Sequence, residues 1–171
     1  MYHFPIGFFD GASALCKGGV EVHIMLNKDH YFFLKLGCGQ STNTRSELLA
    51  LWVLLIFSKH IGLPYLHIRG DSSTIISWFN GLASLETLEL AGWCIEITNL
   101  QSYFIHLESA HVFREFNVQV DRLSKEALHI PVGLLYYMEF IEGACIWHGL
   151  AQLFDLEYFT FTGLFFSEYH L

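Results

Sequence analysis

The stretch TNTRSELLALWVLLIFSKHIG, residues 42–62, decides the fold. The chain before it alternates; this stretch does not. Leu48, Leu51, Leu55 and Ser58 recur three or four apart, as do Glu47, Leu51 and Leu54, which is a helical period. Thr44-Arg-Ser-Glu47 reads as a capping box at its start, and Gly62 and Pro64 stop it. The spacing predicts a helix of roughly five turns, apolar on nearly every side and therefore well buried. Its apolar run from Leu48 to Phe57 is too short to span a bilayer, which takes about 20 residues.

Upstream, residues 5–14 read as a strand. In GGVEVHIML, 18–26, Val20, Val22, Ile24 and Leu26 fall on one face. DHYFFLKLG, 29–37, follows a short Asn27–Lys28–Asp29 turn, which makes a hairpin. Downstream come a strand at 65–70, a short helix at 72–80, a helix at 84–102, a strand at 103–113 and a helix at 117–128 with Asn117 as N-cap. The helical crossover allows Tyr65–Gly70 to pair in parallel with the first sheet segment. The expected fold is α/β: a mixed five-stranded sheet, three antiparallel strands then parallel ones, with helices on both faces. Residues 1–143 form the domain. Residues 144–171 are an aromatic, acidic tail without assignable structure, a candidate to pack on the domain or to join a protein partner.

Bulk composition narrows the function. The chain is 53% hydrophobic and only 15% charged, against a usual share of about 25% charged. The net charge of −8 argues against nucleic acid. That charge is unevenly spread, however. All nine Lys and Arg lie between Lys17 and Lys125, and six of the seventeen acids lie from Glu126 onward. The acidity belongs mostly to the tail. Cys16, Cys38, Cys94 and Cys145 are scattered, as reduced thiols in an intracellular protein would be. The start, MYHFPIGFF, lacks a basic segment and a small-residue cleavage site, so no signal peptide is read, and nucleus or cytoplasm is expected.

Four acids stand at element ends. Asp10 precedes Gly11 at the first strand, Glu47 lies in the first turns of the long helix, Asp71 follows the fourth strand, and Asp121 opens the last helix. Each has an ordinary reading. Asp10 suits a turn, Glu47 a capping box, Asp71 a helix cap, and Asp121 the positive end of a helix dipole. Taken together they converge if the 65–70 strand lies parallel beside the first. Four such carboxylates repel unless cations bind, and oxygen ligands suit Mg2+.

FFDGAS, NTRSELLAL, RGDSSTIISWFNG and HVFREFNVQVDRLSKEAL, in this order and spacing, resemble the ribonuclease H family. The similarity runs over about residues 5–143 and is nearest to plant ribonuclease H-like domains related to retroelement polyproteins. The resemblance implies that Asp10, Glu47, Asp71 and Asp121 are the acidic tetrad, holding two Mg2+ ions that Mn2+ can replace. It places the family's mobile-loop histidine, which assists product departure or proton transfer, on His111; an exposed loop histidine is the alternative. The implied activity is endonucleolytic hydrolysis of the RNA strand of an RNA–DNA hybrid. Ser13, Asn43 and Ser72 stand beside the acids as substrate contacts, with Arg45, Arg69, Arg114 and Lys125 as phosphate partners; exposed charges on a solvated face are the alternative for these cations. The second reading is a weakly active or inactive relative that binds nucleic acid or a protein. Trimmed loops, the missing basic protrusion and the acidic tail favour it.

Overall fold

In the computed structural model, which describes residues 3–114, 127–154 and 167–169, the alternating segments are three long strands. They are β1 (Ile6–Ala14), β2 (Lys17–Met25) and β3 (His30–Gln40). Leu15 and Cys16 alone join β1 to β2, at φ of 50° and 63°, because a two-residue hairpin turn must follow the strand twist. Asn27 builds the next turn: its side-chain oxygen accepts from the backbone N–H of Asp29 (2.9 Å) and His30 (3.0 Å).

Next come α1 (Asn43–His60), β4 (Tyr65–Gly70), α2 (Ser73–Phe79), α3 (Leu88–Gln101) and β5 (His106–His111). The third helix starts at Leu88, not at residue 84, behind Thr87 as N-cap. A 3-10 turn covers Ala127–His129, followed by β6 (Leu134–Ile141), β7 (Ala144–Gln152) and β8 (Ser167–Tyr169). The helix expected over 117–128 lies outside the described residues except for its last two, which belong to the 3-10 turn.

Among the described residues one sheet takes all the strands, in the order β5-β4-β1-β2-β3-β6-β7-β8. β4 pairs in parallel with β1 and with β5; the other pairs are antiparallel. The five expected strands are present in the expected senses. The sheet continues past them, which corrects the expected five strands to eight among the described residues. β6 and β7 carry a weak sequence signal for a physical reason. The inward positions of β7 are Gly149 and Ala151, which are small. A Cβ at Gly149 would collide with the Tyr137 ring.

The core lies between the sheet and α1. Val20, Val22 and Ile24 are fully buried beneath it, as their alternation requires. Every α1 residue from Leu48 to Ser58 is buried. The sheet lies below and α3 beside it, and later residues close the remaining flank. The Tyr137 ring is 5.4 Å from Phe57, and the Phe154 ring is 5.4 Å from Trp93. Part of the tail thus packs on the domain, with Leu153 and Phe154 buried. On the opposite face the 3-10 turn lies against β2 and β3. There the carbonyls of Ile130 and Pro131 pass so close to Gly37 that a side chain would not fit. Among the described residues no helix is long and apolar enough to cross a membrane.

Candidate active site

The parallel register Phe9↔Gly70 places Asp10 and Asp71 one residue further along neighbouring strands. Glu47 reaches the same end through Gly11. A Cβ at Gly11 would collide with the backbone of Ser46 and Glu47, so the first turns of α1 lie directly on β1 beside Asp10. Only glycine permits that approach.

Capping differs from the sequence reading in a way that serves the site. Thr42, not Thr44, is the N-cap of α1, its hydroxyl accepting from Arg45 N–H at 3.1 Å. Glu47 therefore stands beyond the capping position and has another partner. The Ser72 hydroxyl donates to Glu47 Oε2 at 2.8 Å. Ser72, not Asp71, caps α2, accepting from Ile75 N–H at 3.4 Å, so Asp71 too is released from capping.

Around Asp71 stand His111 and Arg114. His111 Nε2–H donates to the Asp71 carbonyl at 3.1 Å. Arg114 Nε lies 3.8 Å from Asp71 Oδ2. Burial pushes the Glu47 carboxyl above the ordinary carboxylate range; the Ser72 hydroxyl opposes this, the Asp71 charge adds to it, and Arg114 eases it. Glu47 and Asp71 thus form an electrostatically coupled pair.

Asp10 is 4% exposed. Directly opposite it on β2 is Glu21, which is 0% exposed, and opposite Glu21 on β3 is Lys35. Glu21 is an acid the sequence reading missed, since alternation assigns it to an outer face. The signal was available in the hairpin: a turn at Leu15–Cys16 pairs Asp10 with Glu21.

Other expected residues serve the frame. Ser13 N–H donates to Asn43 Oδ1 (3.0 Å) and the Ser13 hydroxyl to the Ser41 carbonyl (2.8 Å), tying the end of β1 to the start of α1. Arg45 turns inward, donating to the Cys38 and Gln40 carbonyls (3.2 and 3.4 Å) and lying over the Trp93 ring. Arg69 pairs with Glu108 at 3.2 Å. Asp121 and Lys125 lie outside the described residues.

The donor set is hard carboxylate oxygen, which suits a divalent cation such as Mg2+, and the coupled pair carries charge such a cation would relieve. Among the described residues, no three acids, histidines or cysteines are already gathered closely enough to hold a metal ion. Among the described acids, Glu47 and Asp71 interact, and the parallel register sets Asp10 on the strand next to Asp71.

The profile of the reverse transcriptase-like family matches residues 9–127, the stretch from β1 to the 3-10 turn. The chain belongs to the reverse transcriptase-like family. Its fold is that of ribonuclease H. It is similar to ribonuclease H1 from the halophilic archaeon Halobacterium salinarum at 25% identity and a TM-score of 0.67, with 72% of this chain and 96% of that one covered. The N-terminal ribonuclease H domain of Rv2228c from Mycobacterium tuberculosis gives 20% identity, a TM-score of 0.65 and coverage of 72% and 93%. LC11 ribonuclease H1, solved in complex with an RNA/DNA hybrid, gives 23%, 0.66, and 72% and 95%. No curated protein matches at a significant level. The family match ends at residue 127, so β6, β7 and β8 lie beyond it.

Proposed function

We propose that this family member is an endonuclease that hydrolyses the RNA strand of RNA–DNA hybrids with divalent cations. One observation carries the reading: an acid from the end of β4 faces an acid from the start of α1, beside a buried acid in β1. Three elements distant in sequence bring an acid each to this region, and a shared site explains them. The hybrid as substrate follows the likeness to LC11 ribonuclease H1, which was solved with one.

Asp10, Glu47, Asp71 and Asp121 would hold two Mg2+ ions, or Mn2+ in their place, which when bound supply an activated water and charge stabilisation for the departing 3′ oxygen. The remaining work falls to side chains. Held through Nε2–H by the Asp71 carbonyl, the His111 ring stands at the site for a part in product departure or proton transfer. Arg114, 74% exposed beside Asp71, is the phosphate partner. Ser13 and Asn43 present polar groups at the joint of β1 and α1, where the hybrid backbone would pass. Arg45 turns inward and is not needed for substrate.

The test is cleavage of an end-labelled RNA–DNA hybrid by the purified chain in Mg2+, with duplex RNA and duplex DNA as controls. Cuts in the RNA strand of the hybrid alone support the reading. No cleavage in Mg2+ or Mn2+ supports the second reading, a weakly active or inactive relative kept for binding.

A further inference from the structure

We propose that Ser72 is a positioning residue for Glu47, an inference that rests on the nuclease reading. Its hydroxyl has two bonds with different purposes. As N-cap of α2 the oxygen accepts from Ile75 N–H at 3.4 Å, and its hydrogen goes to Glu47 Oε2 at 2.8 Å. A lone pair is thus fixed by one helix while the proton is given to a side chain of another. The separation in sequence is 25 residues, so the contact is a product of the tertiary fold.

Glu47 needs such an anchor. Its side chain has three rotatable bonds, and the charge of Asp71 pushes it away. Arg114 approaches the Asp71 member of the pair. Without the Ser72 proton, the lowest-energy course for Glu47 is to swing towards solvent. The bond holds the Glu47 carboxylate in place near Asp71 before any cation arrives. Preorganisation of this kind is what supporting hydrogen bonds supply to carboxylate ligands.

A helix-capping role alone makes different predictions, and glycine separates them. Glycine is tolerated at an N-cap with little loss, so Ser72→Gly spares α2 while removing the hydroxyl. Ser72→Ala removes both functions, and Ser72→Thr keeps both. The experiment titrates the full chain with Mn2+, without substrate, following the melting temperature and the binding isotherm. The parent melts higher as Mn2+ binds. Ser72→Gly and Ser72→Ala each raise the half-saturating Mn2+ concentration about tenfold, and Ser72→Thr restores it to within about twofold. Ser72→Ala alone also lowers the metal-free melting temperature.

Parental Mn2+ binding in Ser72→Gly overturns the positioning role and leaves the nuclease reading standing. So does a Ser72→Thr protein as weak as Ser72→Ala, since the hydroxyl would then not be the cause. A parent that gains no stability from Mn2+ overturns the cation pair itself, and this inference with it.

Discussion

The two faces of the sheet share strands and differ in almost everything else. Towards α1, Val20, Val22, Ile24, Leu34, Leu36 and Leu135 are apolar and fully buried. On the other face, the intervening residues of the same strands include Asp10, Glu21, His23 and Lys35, and the two acids there are buried as well. Alternation tells which face a residue takes. It does not tell whether the second face is wet. One face is built for stability by area; the other gathers polar groups whose burial costs free energy, and the candidate site opens at its edge.

The sharpest break of that contrast is Asp10→Asn. Supporting partners of metal ligands alone are worth about 10–100-fold, so removing a ligand charge should cut hybrid cleavage by more than that, to background in a gel assay. The melting temperature should change far less than the cleavage rate, because Asn keeps the size and polarity of the side chain. Cleavage at the parental rate by this variant would end the nuclease reading.

On the α1 face the opposite pattern is expected. Leu51→Ala should lose about 2–5 kcal/mol of unfolding free energy in urea, with unchanged cleavage per folded molecule. A loss of turnover without loss of stability would show that the two faces are not separate in function.

His23 probes the polar face through pH. Burial lowers its pKa from 6.5 to about 4; its ring is stacked on Phe33 at 4.4 Å, with Phe8 and Tyr31 nearby. The folded state favours the neutral ring. Between about pH 6.5 and 4 the unfolded chain takes up a proton the native state refuses. Stability should therefore fall as pH drops through that window, by at most about 3 kcal/mol from this group. In His23→Phe the fall should be shallower, read from melting temperatures across the window.

The smallest effect concerns capping. Thr42→Ala should cost about 1 kcal/mol, whereas Thr44→Ala should cost less, because Thr42 holds the capping bond. Equal losses in paired urea melts would restore the Thr44 capping box.

Much of this was legible in the chain. The hairpins, α1 and the parallel β4 follow from period and turn residues, and the parallel pairing of β4 with β1 sets Asp10 and Asp71 on neighbouring strands. Three things were not legible, each for a reason. β6 to β8 lack alternation, since Tyr136, Met138 and Phe140 put apolar groups on the outer face too while Gly149 and Ala151 occupy the inner one. Glu21 looked solvated because a hydrophobicity pattern records one buried face only. The caps moved because Thr42 and Thr44, like Asp71 and Ser72, are chemically interchangeable candidates until the backbone chooses between them.

Gly11 lends no atom to chemistry, yet strand and helix touch only because it is bare. In a saturation library, positions 10 and 11 should look equally intolerant in an activity screen and part company in an expression screen. Substitutions at Asp10 would yield abundant silent protein, and those at Gly11 scarce protein. Any attempt to transplant these carboxylates onto another scaffold has to carry the glycine with them.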